Sequence, residues 1–301
     1  MGQRTAIIVA GLHARDVVRD LAPAIALLHE RGVRIVAVHP LVDMAGVTEI
    51  VTVARECGVR LVIAAGGDGT VGLVANGLVY SDMSLGILPF GTSNDFARSL
   101  GVPMRLVDAC SAIANAAGRQ VDLGLMVTDA GVRRYFVHAV SVGLNSAFAR
   151  LATKVEWRRR YGRLAYPIAL SQVLRQRQHI GMRITADGQV QQGQFLQVTA
   201  INAPLFGGAL AIQVPDATLT DLRLDLLVVG DMRLWQAPQA ARVLVQSRIR
   251  RAGPVYLLHP KTARIETETL QDVVCDGELI GKTPVTVETA NRALHVIGGR
   301  A

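Results

Sequence analysis

A glycine-rich transition from strand to helix lies at residues 61–78, which read LVIAAGGDGTVGLVANGL. Residues 61–65 are a continuous apolar run, which is typical of a buried strand in a parallel sheet. Three glycines stand within residues 66–69, directly before a helix predicted from Val71. Because glycine lets backbone N–H groups at a helix N-terminus face an anion, the stretch predicts a phosphate-binding loop in an α/β fold.

Asp68, inside this loop, needs a separate explanation, because a carboxylate beside phosphate groups repels them. A tight turn that simply requires glycine accounts for glycines and leaves the carboxylate unexplained. A divalent cation or a water network between the two groups would remove the repulsion. Asp68 therefore predicts magnesium near the loop.

Two better-known phosphate-binding motifs are weighed against this loop. Gly67, Gly69 and Gly72 satisfy the G-x-G-x-x-G spacing, but they follow about the third strand, and the next strand ends in Pro89 without an acidic ribose ligand. No G-x-x-x-x-G-K-[ST] motif occurs, which excludes a P-loop NTPase. We therefore expect a phosphate loop of another kind.

A second polar loop follows the next strand, at Pro89–Arg98. Its small polar side chains are those of Thr92, Ser93, Asn94 and Asp95. Capping the following helix needs only one of them. Loops after neighbouring strands of an open α/β sheet meet at the carboxyl edge of the sheet, so we expect both loops to face one crevice and share a ligand.

The pattern of apolar residues changes along the chain. Up to about residue 118 it alternates between short runs and amphipathic stretches, which predicts an open, mostly parallel α/β sheet. From about Val121 it predicts a mostly β region with hairpin turns at Asp187-Gly188 and Asp276-Gly277, and a domain boundary near residue 125. Predicted strands are Thr5–Val9, Val33–Val38, Arg60–Ala65, Leu85–Leu88, Val121–Val127, Phe136–Val142, Ile180–Ala186, Gln194–Ile201, Leu222–Val229, Ala263–Thr267, Asp272–Cys275 and Pro284–Glu288. Predicted helices are Arg15–Arg31, Thr48–Cys57, Val71–Leu78, Met104–Ala116 started by Pro103, the basic stretch described next, and Leu234–Ile249.

The excess positive charge is concentrated in one segment, which we call the basic stretch. The 301 residues include 32 basic and 24 acidic ones, a net charge of +8. Residues 150–178 hold eight basic residues against Glu156 alone, or +7, interleaved with apolar and aromatic residues. This pattern favours an anionic membrane surface as partner, and a solvated helix whose arginines cover the core is the open alternative. Nucleic acid is not expected, because no motif of a nucleic-acid reader accompanies the charge.

Length and composition indicate a globular protein with one large or two medium domains. Mean hydropathy is +0.31, yet no apolar run approaches the roughly 18 residues of a membrane-spanning helix. The apolar run at the start is too short for a secretory signal, and Cys57, Cys110 and Cys275 form no Cys-x-x-Cys pair. We expect a cytoplasmic protein without a transmembrane segment, disulfides or zinc, and leave association into a homodimer open.

Several motifs occur in the order of a known family. Gly-Gly-Asp-Gly-Thr at residues 66–70 is followed by Gly-Thr-x-Asn-Asp-Phe-Ala at 91–97 and by Val-Asp-Leu-Gly at 121–124. Later matches are Tyr135-Phe136 through Gly143, Gly162-x-x-x-Tyr166, Asn202-x-Pro204-x-x-Gly207-Gly208 and Asp276-Gly277-Glu278. Along nearly its whole length the chain resembles the diacylglycerol kinase catalytic-domain family of soluble bacterial lipid kinases, which is related to sphingosine kinases and NAD kinases.

The resemblance implies a nucleotide-binding α/β domain at residues 1–125 and a β-rich, sandwich-like lipid-substrate domain at 126–301, with the last dozen or so residues returning to the first domain. It implies phosphorylation of a lipid hydroxyl, most directly that of diacylglycerol, with ATP and Mg²⁺. Carried over by motif, the nucleotide contacts are Gly66, Gly67, Asp68, Gly69, Thr70, Thr92 and Asn94.

The resemblance also assigns the acidic residues. Asp68, Asp95 and Asp122 would form a network of magnesium and water, and Glu278 would be the general base. From the residues alone, Glu278 after Asp-Gly is an exposed hairpin residue, and Asp122 is a surface carboxylate at the domain junction. Both interpretations of these two residues remain open at the level of sequence.

The chain departs from the family pattern at the start of the nucleotide domain. Ala10-Gly11 stand where the family has Asn-Pro, and Gly72-Leu73 stand where it has Asn or His and then Glu. These departures motivate one alternative, a non-catalytic nucleotide- or lipid-binding protein on the same fold. A second alternative is an NAD kinase, which shares Gly-Gly-Asp-Gly, although the loop at residues 91–95 argues against it.

A further departure lies in the second half. The family has Asp-Gly-x-Leu-Asp, and this chain has Leu222 in place of the glycine in residues 221–225. In the family this segment holds a structural ion through backbone oxygens and one aspartate. The ligands here would be Thr218, Asp221 and Arg223.

Overall fold

The structure is a computed structural model that describes most of the chain. The described residues are 4–11, 14–41, 43–144, 179–206, 212–214, 217–230, 251–252 and 255–298. The basic stretch and the helix predicted at Leu234–Ile249 lie outside them.

The N-terminal part is a sheet of parallel strands with helices between them. Its strands are β1 (Arg4–Ala10), β2 (Val33–Pro40), β3 (Leu61–Gly66) and β4 (Ser84–Pro89), in the order β4-β3-β1-β2. Its helices are α1 (Ala14–Glu30), α2 (Met44–Glu56), α3 (Asp68–Leu78), α4 (Asp95–Ser99) and α5 (Leu106–Asn115). All neighbouring strands pair in parallel, and Gly66 lies opposite Pro89 at the carboxyl edge. The predicted open α/β sheet is confirmed, and it brings the ends of the two polar loops side by side.

The C-terminal part is built from antiparallel strands. They are β5 (Gly118–Thr128), β6 (Arg133–Phe136), β7 (Ala139–Gly143), β8 (Ile180–Ala186), β9 (Gln189–Ile201), β10 (Leu205–Phe206), β11 (Ile212–Gln213), β12 (Asp225–Gly230), β13 (Arg251–Ala252), β14 (Val255–Leu258), β15 (Thr262–Thr267), β16 (Asp272–Cys275), β17 (Glu278–Lys282) and β18 (Val285–Ile297). The main path is β13-β14-β12-β9-β8-β15-β18, with β5, β6, β7, β16 and β17 paired beside it and β10-β11 as a separate pair. The β-rich second half is thus also confirmed.

Strand β18 joins the two parts. It pairs antiparallel with β15 and with almost the whole of β5, and near its end His295 and Val296 pair in parallel with Ser84 and Leu85 of β4. One continuous sheet therefore runs through the molecule. The predicted boundary near residue 125 falls inside β5, and the division into two domains remains a prediction.

Helix α3 is packed between the two parts. Val71, Val74 and Leu78 on this helix are buried in one apolar cluster with Leu123 of β5 and Leu294 of β18. Burying such a side chain stabilises the fold by about 1.5–3 kcal/mol. The helix that begins with Asp68 is therefore held rigidly against the second half of the chain.

Both hairpin predictions are confirmed. Asp187-Gly188 connects β8 to β9, and Asp276-Gly277 connects β16 to β17. Both aspartates have positive φ, and so do both glycines, which is the backbone conformation of the tight turns that match strand twist.

Several predicted element boundaries are wrong. Helix α2 begins at Met44 instead of Thr48, β9 begins at Gln189 instead of Gln194, and β18 continues to Ile297 instead of ending at Glu288.

Three further boundaries differ for a reason that the structure shows. The helix predicted from Met104 begins at Leu106, after Arg105 in an extended conformation, so Pro103 precedes the helix instead of starting it. The strand predicted at Phe136–Val142 is two strands, because the N–H groups of residues 137–139 bond to the side chain of Asp276. The strand predicted from Leu222 begins at Asp225, because Leu222 has positive φ.

Candidate active site

The first glycine loop packs directly against the second polar loop. Gly67 precedes α3, and a Cβ atom placed on Gly91 would lie 2.4 Å from the Cα atom of Gly67. Neither loop could therefore keep its position with a side chain at Gly91. The first turn of α3 leaves backbone N–H groups without helical acceptors, and the contact places them along one edge with the second loop. Binding of an anion at this edge remains a prediction.

Thr70 closes the other side of the first loop. Its side chain lies so close to the backbone that a Cβ on Gly66 would be 2.4 Å from its Oγ1 atom, and a Cβ on Gly11 would be 1.9 Å from it. A Cβ at residue 11, where the family has proline, would therefore require the Thr70 side chain to take another position. The N–H of Gly11 also donates to the carbonyl of Ala65, which fixes the end of β1 beside the loop.

The second loop is shaped by Asn94. This residue has positive φ, and its side chain both accepts from the N–H of Gly91 at 2.9 Å and donates to the carbonyl of Gly91 at 2.8 Å. Asp95 follows at the start of α4 and is buried, whereas Thr92 is exposed at the loop surface. Asn94 therefore holds the loop, and its predicted contact with the nucleotide remains a prediction.

Asp68 is the point where the first loop, the second loop and the C-terminal part meet. Its Oδ1 atom accepts from the N–H of Phe96 at 3.1 Å and lies 3.1 Å from Nε2 of His138. Burial alone would raise the pKa of Asp68, but the hydrogen bond from His138 and the N–H groups of Phe96 and Asp95 lower it overall. The side chain is 26% exposed, so an ionised carboxylate remains accessible at the start of α3.

His138 is the residue that sequence reasoning missed most clearly. It lies between β6 and β7, and its ring stacks edge-on against Phe96 with centroids 5.9 Å apart. Burial works to lower the pKa of His138, yet the hydrogen bond to Asp68 and the nearby carboxylates of Asp276 and Asp95 raise it overall. A lone histidine after a strand carries no recognisable sequence signal.

Asp276 fixes the segment that contains His138. Its Oδ2 accepts from the N–H of Val137 at 2.8 Å, and its Oδ1 accepts from the N–H groups of His138 and Ala139 at 2.9 and 3.0 Å. A Cβ on Gly72 of α3 would lie 3.7 Å from the same carboxylate. The turn that leads to Glu278 is thus bound to the centre of the molecule next to α3.

A second clamp holds α3 to β6. The amide of Asn76 accepts from the N–H of Tyr135 at 3.0 Å and donates to the carbonyl of Tyr135 at 2.9 Å. The same amide donates to the carbonyl of Gly72 one turn earlier. Asn76 was not singled out in the sequence, although it lies on the predicted helix Val71–Leu78.

Glu278 is the first residue of β17 and its side chain is 60% exposed. Its Oε2 atom lies 3.3 Å from the guanidinium of Arg134, whose side chain is only 20% exposed. The exposed position of Glu278 directly after the Asp276-Gly277 turn fits the interpretation as a hairpin residue. Asp276 in the same turn lies beside Gly72 of α3. Its role as a base stays a prediction.

Asp122 is a buried carboxylate whose two oxygens accept from two separate segments of the main chain. It is 3% exposed, Oδ1 accepts from the N–H of Arg292 at 2.7 Å, and Oδ2 accepts from the N–H of Leu222 at 3.0 Å. It lines a pocket of about 360 Å³ with Gln120, Thr220, Leu222, Asn291 and Arg292. The alternative of an exposed surface carboxylate is therefore wrong.

The predicted ligands of a structural ion lie on the surface beside this pocket. Thr218, Asp221 and Arg223 are exposed, and the carboxylate of Asp221 accepts from the N–H of Arg223 at 3.1 Å. The N–H groups of Leu222 and Arg223 are thus both directed at carboxylates, and the loop closes through these bonds. The ion remains a prediction.

Magnesium fits the donor groups around Asp68. Mg²⁺ is usually held by one or two carboxylates together with substrate phosphates and water. The ionised carboxylate of Asp68 supplies one such ligand at the edge formed by the two loops, and the buried carboxylate of Asp95 lies near His138. Within the described residues, no three His, Cys, Asp or Glu side chains form a metal site by themselves.

Comparison with known proteins decides the family. Residues 12–126 match the family model described as the diacylglycerol kinase catalytic domain, and residues 138–298 match the one described as the YegS C-terminal NAD kinase beta sandwich-like domain. The chain belongs to the diacylglycerol kinase catalytic-domain family. At the level of the family, this is a lipid kinase.

Individual relatives of the family agree with this assignment. The chain is 31% identical over 216 residues to a protein of Xanthomonas oryzae pv. oryzae named probable lipid kinase YegS-like, covering 70% of this chain and 69% of the relative. It is 28% identical over 253 residues to the diacylglycerol kinase of Bacillus subtilis, covering 81% and 80% of the two chains. It spans only 55% of an uncharacterized protein of Synechocystis sp. to which it is 29% identical over 248 residues.

A solved structure shares the family fold. The crystal structure of a diacylglycerol kinase from Bacillus anthracis str. Sterne superposes with a TM-score of 0.71 at 22% sequence identity, over 99% of this chain and 97% of that one. In the part of this chain that the structure describes, no helix is both long and apolar enough to cross a membrane.

We expect Asp122→Ala to destabilise the protein, because it removes a buried carboxylate that accepts from the N–H groups of Leu222 and Arg292. Hydrogen bonds to a charged group contribute about 1.5–3 kcal/mol each, so the free energy of unfolding should fall by about 3 kcal/mol in urea titrations. The matched control is Asp82→Ala, which removes an exposed pair with Arg60 and should cost less than about 1 kcal/mol. Parental stability of Asp122→Ala would contradict the structural role of this carboxylate.

Proposed function

We propose that the chain is an ATP-dependent lipid kinase that transfers the γ-phosphate to the hydroxyl of diacylglycerol or a similar lipid. One observation carries the proposal: the accessible carboxylate of Asp68 lies within hydrogen-bond distance of both the second loop and His138, next to the turn that leads to Glu278. A kinase needs its nucleotide loop and its base on opposite sides of one reacting phosphate. The names of the relatives support a lipid as the acceptor.

In this proposal the two loops hold the nucleotide. The N–H groups at the start of α3 face the phosphates, Thr92 at the exposed tip of the second loop contacts the nucleotide, and Gly67 and Gly91 keep the loops in contact. Asp68 and Asp95 would hold Mg²⁺, which neutralises charge on the phosphates and orients the γ-phosphate. Asp122 would act at longer range through water, as the resemblance implies.

The transfer needs one proton acceptor on the lipid side. The carboxylate of Glu278 takes the proton of the lipid hydroxyl as its oxygen attacks the γ-phosphorus, and the bond to the bridging oxygen breaks, which releases ADP. Arg134 holds one oxygen of Glu278 and limits its rotation. Since little covalent chemistry remains for the protein, positioning and charge stabilisation carry the catalysis.

The test of this proposal is transfer of labelled phosphate from ATP to diacylglycerol in mixed micelles with Mg²⁺, with NAD as a parallel acceptor. Lipid phosphorylation supports the proposal. Transfer to NAD alone would make the chain an NAD kinase, and nucleotide or lipid binding without transfer would make it a non-catalytic binding protein.

We expect Asp68→Ala to lose most of the lipid phosphorylation, because the phosphates and Mg²⁺ would lose the carboxylate between them. Turnover is measured as labelled phosphatidic acid formed at saturating ATP, and thermal unfolding checks the fold. Asp82→Ala is the control, since it removes an exposed aspartate just before β4, at the end of that strand opposite to the second loop. Parental turnover of a folded Asp68→Ala variant would overturn the assignment of this site.

We expect Glu278→Gln to lower kcat for lipid phosphorylation by about 10²- to 10⁴-fold, the usual contribution of a positioned base, while ATP affinity stays parental. The substitution keeps the size of the side chain and removes its basicity. Its control is Glu266→Gln, because Glu266 is also partly exposed and pairs with an arginine, Arg264, at 3.4 Å. A parental kcat would return Glu278 to the role of an exposed hairpin residue.

We further propose that the basic stretch brings the enzyme to an anionic membrane surface, where its lipid substrate resides. Each Lys or Arg near such a surface contributes roughly 1 kcal/mol of binding, in a salt-dependent way. Replacing Arg158, Arg159 and Arg160 by Glu should therefore abolish co-sedimentation with vesicles of anionic phospholipid.

The control for this prediction reverses the same amount of charge elsewhere. Arg34, Arg105 and Arg183 are exposed and lie outside the basic stretch, so replacing them by Glu should leave most of the vesicle binding intact. Equal loss in both triple variants would mean that net charge alone, and not this segment, governs binding.

A further inference from the structure

The side chain of His138 connects Asp68 of the first glycine loop to residues 137–139, the segment that the carboxylate of Asp276 holds. Its Nε2 atom lies 3.1 Å from Oδ1 of Asp68, the same oxygen that accepts from the N–H of Phe96. The ring is only 12% exposed, so little water competes for this contact. We propose that His138 is a positioning residue that fixes the carboxylate of Asp68 for Mg²⁺ and the nucleotide, an inference that rests on the proposed lipid kinase function.

The ring can do this because the backbone of residue 138 is held from two sides. The carboxylate of Asp276 accepts from its N–H at 2.9 Å, and its carbonyl accepts from the N–H of Asn202 at 2.8 Å. The edge-on contact with Phe96 restricts rotation of the ring. A side chain so constrained loses little entropy when it donates to Asp68, which is what positioning requires.

The bond also determines which way the carboxylate faces. Two donors on Oδ1, one from α4 and one from His138, restrict rotation of the carboxylate. The side chain stays 26% exposed, so oxygen lone pairs remain for a cation. Partners that orient a metal-binding group in this way typically change metal affinity or activity by about 10- to 100-fold when they are removed. His138 belongs to the C-terminal part, so this orientation depends on the contact between the two halves of the chain.

The experiment compares His138→Leu, which removes the donor at similar volume, with His138→Gln, which retains an N–H donor of similar reach. We measure nucleotide affinity by calorimetry as a function of Mg²⁺ concentration, and KM for ATP and kcat in the lipid assay. His138→Leu should raise the half-saturating Mg²⁺ concentration and KM by about tenfold or more, and His138→Gln should recover most of this loss. Binding of ATP in excess chelator should be equal in all variants, because Asp68 then orients no cation.

A matched control and a second variant separate positioning from stability. His295 also bonds through its ring, at 2.6 Å to the hydroxyl of Ser84, but at the opposite end of β4, so His295→Gln should leave the Mg²⁺ dependence parental. If His138→Leu does not fold, His138→Asn replaces it, because the shorter amide fits the space and does not reach Asp68. In an Asp68→Asn background, substitution of His138 should have no additional effect on Mg²⁺ dependence.

The outcomes distinguish this inference from the proposed function. If the parent protein phosphorylates lipid and the folded His138 variants keep its Mg²⁺ dependence and KM, His138 is a structural contact and the inference alone is overturned. If the parent neither binds Mg²⁺ with ATP nor transfers phosphate, the proposed function fails and the inference falls with it. A selective change in Mg²⁺ dependence that is rescued in His138→Gln and absent in His295→Gln supports it.

Discussion

The carboxylate of Asp276 accepts three consecutive backbone N–H groups, those of residues 137–139, and the arrangement of the site depends on this interaction. Hydrogen bonds to a charged acceptor are worth about 1.5–3 kcal/mol each, more than a ladder bond between neutral groups. They interrupt the strand between β6 and β7 and replace the ladder bonds that the interruption removes. One residue of the β16–β17 turn therefore determines both where Glu278 begins its strand and where His138 faces α3.

Close backbone contacts fix the two polar loops relative to the segment that Asp276 holds. Gly67 and Gly91 allow the two loops to touch, and Gly72 of α3 faces the carboxylate of Asp276, where a Cβ would make an ordinary contact at 3.7 Å. The departures from the family pattern at Gly11 and Gly72 thus both occur where the main chain is crowded by Thr70 or faces Asp276. Apolar burial holds α3 between the halves, but these contacts and the Asn76 clamp set its position along the strands.

The sequence predicted the elements with strong periodicity and missed those determined by distant side chains. The four parallel strands, α1 to α3 and both Asp-Gly hairpins follow from local pattern, because glycine, proline and continuous apolar runs mark their ends. The break at Val137 and His138 could not be predicted, since its cause, Asp276, lies more than 130 residues away. The loops at residues 66–70 and 91–97 were located by composition, whereas the use of Asn94 for its own loop and the part played by His138 are visible only in three dimensions.

Three neighbouring carboxylates explain why so many N–H groups converge on this site. The carboxylates of Asp68, Asp95 and Asp276 lie close enough to raise the pKa of His138 together, and in isolation they would repel one another and any phosphate. Three backbone N–H groups compensate Asp276, and His138 with two further N–H groups compensates Asp68. Two other N–H groups, those of Leu222 and Arg292, compensate the charge of Asp122, which thereby holds the main chain at these two residues. Asp68, at 26% exposure, thus combines main-chain hydrogen bonds with access to solvent, and a negatively charged ligand that approached it would need a cation between them.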